Sequence, residues 1–255
     1  MALTLDQRSI IVTGAGSGIG RATALQLAAA GAHVIVADLA EAPANETVQL
    51  VADAGGAATA VVGDISDPEV VERIVAAAVE HGPLKGVVNN AGVMDLFAGA
   101  AETDDATWER CLRVNTTAPF LMTRATVPLL IENGGGSIVN VGSAAGARGA
   151  AAGAAYTASK HAVTGLTKNT AYRYAKEGVR ANVALPGGVE TNIMGSIDGA
   201  KIDQGALAVL GPVHASAIRN ATPDEQAALI VFLLADESSN VNGAVIANDG
   251  GWAAG

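Results

Sequence analysis

Several things this 255-residue chain lacks bound what it can do. It has one cysteine, Cys111. That excludes an internal disulfide and points to a reducing compartment; in a helical pattern, Cys111 reads as a buried structural thiol. Aromatic residues make up only 3% of the chain while glycines number 31, a balance that suits helices packed closely on a sheet. Basic residues are scarce, 15 against 25 acidic ones, for a net charge of −10. This argues against nucleic acid or an anionic membrane surface as partner, because phosphate recognition needs basic patches. No run of about 18 apolar residues escapes polar interruption, so no membrane span is expected. The four histidines, His33, His81, His161 and His214, show no metal-ligand spacing. The opening Met-Ala-Leu-Thr-Leu-Asp has no basic region followed by an apolar core, so no signal peptide is read there. The expectation is a soluble, cytoplasmic protein without a metal.

What is present is an alternation of short β-branched runs with longer helical patterns. That is the signature of parallel strands joined by crossover helices. Strands are expected near Ser9–Thr13, His33–Ala37, Ala58–Val62, Gly86–Asn89, Ser137–Val141, Arg180–Ala184 and Val245–Ala247. Helices are expected near Gly20–Ala30, Asn45–Ala54, Pro68–Glu80, Thr107–Ile131, Tyr156–Lys176 and Pro223–Leu234. With no linker, repeat or break in composition, residues 1–255 read as one α/β domain, a doubly wound parallel sheet (Rossmann fold) of about seven strands. In such sheets ligands bind beyond the carboxyl ends of the strands.

The first such end carries Thr13-Gly-Ala-Gly-Ser-Gly-Ile-Gly20. Glycines between a strand and its helix permit a tight turn and let a pyrophosphate approach the backbone at the helix N-terminus. The spacing is G-x-x-x-G-x-G (Gly14, Gly18, Gly20) rather than G-x-G-x-x-G, with Ser17 and Ile19 inside it. Asp38 ends the second strand, 18 residues after Gly20. A carboxylate there accepts both hydroxyls of an adenine ribose and repels a 2′-phosphate. No Lys or Arg lies at 15–17 or beside Asp38, so the expected cofactor is NAD rather than NADP.

The second informative element is Tyr156 with Lys160, 13 residues beyond Ser143. Residues four apart share a helix face. Ser143 follows a strand and can converge on that helix. A second pair at the same spacing, Tyr172 and Lys176, also has a serine 13 residues upstream, Ser159. Ser159 and Tyr172 fall on one helix, however, roughly 20 Å apart at 1.5 Å rise per residue, too far to share a substrate.

With these residues in view the chain resembles the short-chain dehydrogenase/reductase family over essentially its full length. The matching residues are the glycine motif, Asp64 with Asp67, Asn89-Asn-Ala-Gly92, Asn115, Ser143, Tyr156 with Lys160, Pro186-Gly-Gly-Val-Glu-Thr191 and the C-terminal Asn-Asp-Gly-Gly-Trp. The resemblance implies that Asp64 and Ile65 contact the adenine and that Asn90, Ala91 and Gly92 line the adenosine side. It also implies that Val189 and Thr191, with Pro186 in the same motif, hold the nicotinamide carboxamide. Lys160 would also grip the nicotinamide ribose, and Asn115 would help hold a water relay. Long helices pairing across one two-fold axis and terminal strands across another would give a homotetramer.

The chemistry expected is hydride exchange between nicotinamide and a secondary alcohol or ketone, with Tyr156 as general acid/base. A tyrosine titrates near 10, so its anion needs help near neutral pH; Lys160 and oxidised nicotinamide supply positive charge. Ser143 would hold the substrate oxygen. Substrate walls are expected from Val93 to Phe97, from Ala144 to Ala155, and from a lid over Asn192 to Ser216. Lys201, Asp198, Asp203 and His214 read as solvated lid surface, which favours a mainly uncharged substrate. The alanines beside Ser143 suggest room for a bulky or cyclic one. Two alternatives stand beside this reading. One is a 3-oxoacyl-carrier-protein reductase, against which Asp38 and the acidic surface count. The other is a catalytically silent NAD-binding scaffold, against which the intact Ser-Tyr-Lys-Asn set counts.

Overall fold

A computed structural model describes residues 4–254. The expectation about the opening residues rests partly on Met1 to Leu3, which lie outside the described range. Seven strands form one parallel sheet: β1 (Ser9–Thr13), β2 (His33–Asp38), β3 (Ala57–Val62), β4 (Leu84–Asn89), β5 (Gly136–Val141), β6 (Val179–Pro186) and β7 (Val245–Asn248). Their order is β3-β2-β1-β4-β5-β6-β7. Every strand stands where the sequence places it, with ends moved by a residue or two.

Strand β1 shows why the pattern reads as it does. All five of its residues are buried, because both faces of a parallel sheet are covered by helices and no polar alternation survives. Ile10 and Val12 face one layer with helices α1 (Gly18–Ala29), α2 (Glu41–Asp53) and α8 (Pro223–Leu234). Ile11 faces the other, with α3 (Pro68–Glu80), α5 (Ala118–Glu132) and α6 (Ala154–Arg173). The chain reverses direction across the sheet between β1 and β4. The loops there diverge and open a crevice at the strand ends.

The helices depart further from expectation. The second, expected from Asn45, begins four residues earlier at Glu41. The helix expected over Thr107–Ile131 is two helices, α4 (Asp105–Leu112) and α5, joined by a π-turn at Arg113–Thr117. Pro119 has no N–H to return to the carbonyl four residues back, and the register loosens there. The helix expected to reach Lys176 ends at Arg173, and Gly178 (φ 78°) closes the short 3₁₀ turn that follows. The lid holds a helix the sequence did not suggest, α7 (Gln204–Ala215), capped by the Asp203 carboxylate accepting from Ala206 N–H at 2.8 Å.

Candidate active site

The crevice is a cavity of about 970 Å³ running from Asp38 to the lid. Its floor at β1 is a glycine turn. Gly14 (φ 62°) and Gly18 (φ 52°) are left-handed, a conformation glycine adopts without steric cost. A Cβ on Gly14 would lie 2.9 Å from the Ala91 Cα, so space also demands glycine there. The Ser17 hydroxyl caps no helix N–H and is exposed to the cavity. Asn90 laces the turn to β4, its Nδ2 donating to the Thr13 and Gly14 carbonyls at 2.9 and 3.1 Å. The Thr13 hydroxyl accepts from Asn90 N–H at 3.0 Å and Ala91 N–H at 3.1 Å.

Gly20 is part of the same motif but does not line the cavity. It packs under the turn, where a Cβ would meet the Gly14 carbonyl oxygen at 2.2 Å and Asn90 Nδ2 at 2.6 Å.

At the β2 end of the cavity, where the adenosine is expected, Asp38 accepts from Gly16 N–H at 2.8 Å and Ala40 N–H at 3.0 Å. Asp64 ties its own turn, accepting from Ser66 N–H and hydroxyl, and pairs with Arg113 at 2.7 Å. Burial pulls its pKa upward, but the Ser66 and Arg113 hydrogen bonds outweigh that and hold it below its ordinary value. Ile65 and Gly92 complete this wall. Arg113 went unread in the sequence, since its partners lie 47 and 49 residues away. Arg21 in α1 donates to the Gly16 carbonyl and pairs with Glu46.

At the other end Ser143, Tyr156 and Lys160 converge on the cavity beside Pro186, Val189 and Thr191. Thr191 also reaches the glycine turn, its Cγ2 lying 3.1 Å from where a Gly18 Cβ would be. Lys160 Nζ donates to the Val141 carbonyl at 2.9 Å and sits 5.4 Å from the Tyr156 ring centroid. Both side chains are buried, and this decides their protonation. Burial pushes the Tyr156 phenol up to about 12, with Asp95 and Cys111 adding to the rise and a hydrogen bond to Ser143 opposing it. Burial pulls the Lys160 ammonium down to about 8. Lys160 and oxidised nicotinamide together were expected to favour the phenolate; against Lys160, desolvation wins, and both side chains are driven toward neutrality.

Asn115 does not line the cavity and is 1% exposed. It lies in the π-turn and staples three segments. Its Oδ1 accepts from Val93 N–H, and its Nδ2 donates to the Val93 carbonyl and the Ser159 hydroxyl at 2.9 and 3.1 Å. Ser159 in turn donates to the Tyr156 carbonyl at 2.7 Å. The serine of the second Tyr-Lys match is therefore a buried tie, while its tyrosine, Tyr172, is 91% exposed on the outside of α6.

The lid closes the far wall with Ile193, Met194, Ile202 and Leu207. Of the run Ala144 to Ala155 only Ala151 reaches the cavity; Ala144 and Ala145 are buried below. Asp198 and Asp203 cap lid turns. His214 is exposed, as expected of solvated lid surface, and also lines the cavity. It is held by Nε2 to the Ala151 carbonyl at 3.0 Å and lies edge-on to Phe97 and Trp252. Arg110, also unread, clamps lid to floor by donating to the Ser196 and Met94 carbonyls at 3.1 and 2.6 Å. Among the described residues no cluster of His, Cys, Asp or Glu could hold a metal, and no helix is long and apolar enough to cross a membrane.

Residues 8–201 match the short chain dehydrogenase family. The chain belongs to the short-chain dehydrogenase/reductase family. It is 40% identical to short-chain dehydrogenase/reductase cdmF of Talaromyces verruculosus, over 97% of this chain and 98% of that one. A short-chain dehydrogenase from Mycobacterium paratuberculosis, solved with NAD bound, superposes with a TM-score of 0.90 at 32% identity, covering 99% and 100% of the two chains. A protein from Beutenbergia cavernae, suggested to be an NAD(P)-dependent gluconate 5-dehydrogenase, was solved with NADP at low occupancy. It superposes with a TM-score of 0.87 at 37% identity over the whole of both chains. Such neighbours bind nicotinamide cofactors of both kinds. The residues here fit one: a single cavity runs from Asp38 past Gly14 and Gly18 to Tyr156 and Lys160, and the Ser17 hydroxyl, spent on no helix cap, faces it.

Proposed function

We propose that this short-chain dehydrogenase/reductase is an NAD-dependent oxidoreductase that interconverts a secondary alcohol and a ketone, with Tyr156 as general acid/base. The observation that carries this reading is the convergence of Ser143, Tyr156 and Lys160 in one cavity that continues unbroken to Asp38. When bound, nicotinamide would accept or return the hydride and, in its oxidised form, bring a positive charge. The chain's own residues do the rest. The Ser143 hydroxyl holds the substrate oxygen beside Tyr156 Oη. Tyr156 takes the alcohol proton during oxidation and donates it during reduction. Lys160, already fixed by the Val141 carbonyl, offers its remaining N–H donors to a ribose and its charge to the phenolate. Asn115 works from behind, holding the Val93 backbone and the helix that carries Tyr156.

Along the cofactor, Gly14, Ser17, Gly18 and Ile19 take the pyrophosphate and Asp38 the adenine ribose. Asp64 and Ile65 border the adenine, Asn90, Ala91 and Gly92 the adenosine side, and Pro186, Val189 and Thr191 the carboxamide. Gly20 contributes by letting the turn pack. Asp38 selects NAD: its carboxylate repels a 2′-phosphate, and the cations at this end are paired with acids, Arg21 with Glu46 and Arg113 with Asp64. The substrate end favours an uncharged molecule, since Arg110 is spent on two carbonyls and the lid carboxylates on caps. Exposed Trp108 on α4 and Phe120 on α5, and the half-exposed edge strand β7, support a homotetramer, with a dimer as the fallback. A cytoplasmic setting suits the single buried thiol.

Screening secondary alcohols and ketones by the absorbance of reduced cofactor tests the reading. Turnover with NAD(H) at least tenfold above NADP(H) is the expected result. Better turnover with NADPH would overturn the cofactor assignment, turnover confined to carrier-bound 3-oxoacyl groups would favour the reductase alternative, and NAD binding with no turnover would favour the scaffold.

A further inference from the structure

We infer that Asp95 is a positioning residue for the reaction: its carboxylate, reaching across from the loop after β4, fixes the first turn of α6 and with it the Tyr156 side chain. The inference rests on the reading of Tyr156 as the acid/base group. Asp95 is 2% exposed. Its partners are backbone N–H groups. Oδ1 accepts from Phe97 at 3.0 Å and Gly153 at 3.2 Å, and Oδ2 accepts from Tyr156 at 2.9 Å.

The first N–H groups of a helix have no partner within it, and α6 offers none of its own. Its N-cap is Gly153, which has no side chain to cap with, and its first turn carries no acid. Asp95 supplies the missing acceptor from 58 and 61 residues upstream. Because Tyr156 is the third residue of α6, the N–H that is held is its own. A carboxylate suits this position because it is acceptor-only, with two oxygens to share among the donors.

Two local features let the carboxylate reach. Phe97 stands at φ 63°, uncommon for a residue with a side chain, and its N–H is turned onto Asp95. Gly153 has an ordinary φ of −75°, so glycine is required there for space and not for backbone freedom. A Cβ at Gly153 would lie 2.6 Å from Asp95 Oδ2 and 2.7 Å from the Phe97 carbonyl carbon. The placement has an electrostatic consequence. After burial, and against the Ser143 hydrogen bond, the Asp95 charge helps hold the Tyr156 phenol up, with Cys111 of α4 acting the same way. Lys160 on α6 and Arg110 on α4 are the cations of this neighbourhood, and Cys111 feels both of them as well as Asp95. Asp95 thus fixes where the phenol is while opposing its ionisation.

Two variants separate these effects in the full-length enzyme. Asp95→Asn keeps one acceptor oxygen and sets an amide N–H₂ against the remaining donors. The expected result is a fall in kcat of about tenfold from lost orientation, an unchanged KM for NAD, and a midpoint for alcohol oxidation moved to lower pH because a negative charge is gone. Gly153→Ala displaces the carboxylate but keeps its charge, so a similar loss in kcat is expected without that downward move. In both, the Tyr156 amide should exchange with solvent faster than in the parent protein. Exchange is read without substrate, so it tests the clamp even if the panel of alcohols shows no turnover. Unchanged exchange and parental kcat in both variants would overturn the inference, as would an unmoved midpoint in Asp95→Asn. If Asp95→Asn does not fold, Gly153→Ala decides by exchange and kcat.

Discussion

The two ends of the cavity are built by opposite means. The adenosine end is backbone and half-exposed polar groups: left-handed glycines, a free Ser17 hydroxyl, and carboxylates whose hydrogen bonds come from neighbouring turns. The catalytic end is buried charge and phenol. Asp95, Tyr156 and Lys160 are each at most 5% exposed, and desolvation governs the protonation of Tyr156 and Lys160. On the proposed reading, one end fits the cofactor and the other moves a proton. Damage to one should therefore leave the function of the other readable.

The largest effect is expected from Tyr156→Phe, which removes the proton carrier and little volume. Turnover should fall at least about a thousandfold, while NADH affinity by calorimetry stays within about twofold, since the removed hydroxyl makes no adenosine-end contact. Equal losses in both would show that the two ends are not separable. Gly20→Ala attacks the other end, because its Cβ would press on the Gly14 carbonyl. NADH affinity should drop about thirtyfold from the cost of overpacking, with kcat at saturating cofactor reduced far less.

A smaller change sharpens the comparison. Asp38→Ala with Leu39→Arg should move the NADH/NADPH preference about tenfold toward NADPH, measured as a ratio of kcat/KM values, and leave the pH midpoint where it was. A moved midpoint would mean that the adenosine end reaches the phenol electrostatically. Tyr172→Phe should change nothing measurable in turnover, because that ring lies exposed on the far side of α6. An activity loss there would revive the second Tyr-Lys match.

The same contrast governs how much could be read from the residues alone. The strands, the glycine turn, Asp38 and the Tyr156-Lys160 pair are local patterns, a period or a fixed spacing along the chain, and they stand where expected. What escaped is long-range or set by a single perturbing residue. Asp95 meets its partners only after 58 and 61 residues, and Arg113 meets Asp64 across 49. The π-turn at Asn115 follows from one proline placed four residues on. Helix α7 carries Gly205, Gly211 and Pro212, which disguise it in the sequence, yet it forms on an Asp203 cap and apolar packing over the cavity. The sequence also could not show that burial overrides Lys160, because desolvation is a property of the assembled site.

The most direct test of the account is the pair of pH profiles of kcat, for alcohol oxidation with NAD and for ketone reduction with NADH. One group is held to carry the proton in both directions, so oxidation, which needs the phenolate, should rise with pH, and reduction, which needs the phenol, should fall. Burial starts Tyr156 from about 12 in the protein alone, and positive charge arriving beside it lowers that value. The climb in oxidation should thus run through the alkaline range and disappear in Tyr156→Phe. Mirrored profiles lost together in that variant are the predicted result. Profiles that run in the same direction, or that persist unchanged without the phenol, would contradict the assignment of Tyr156.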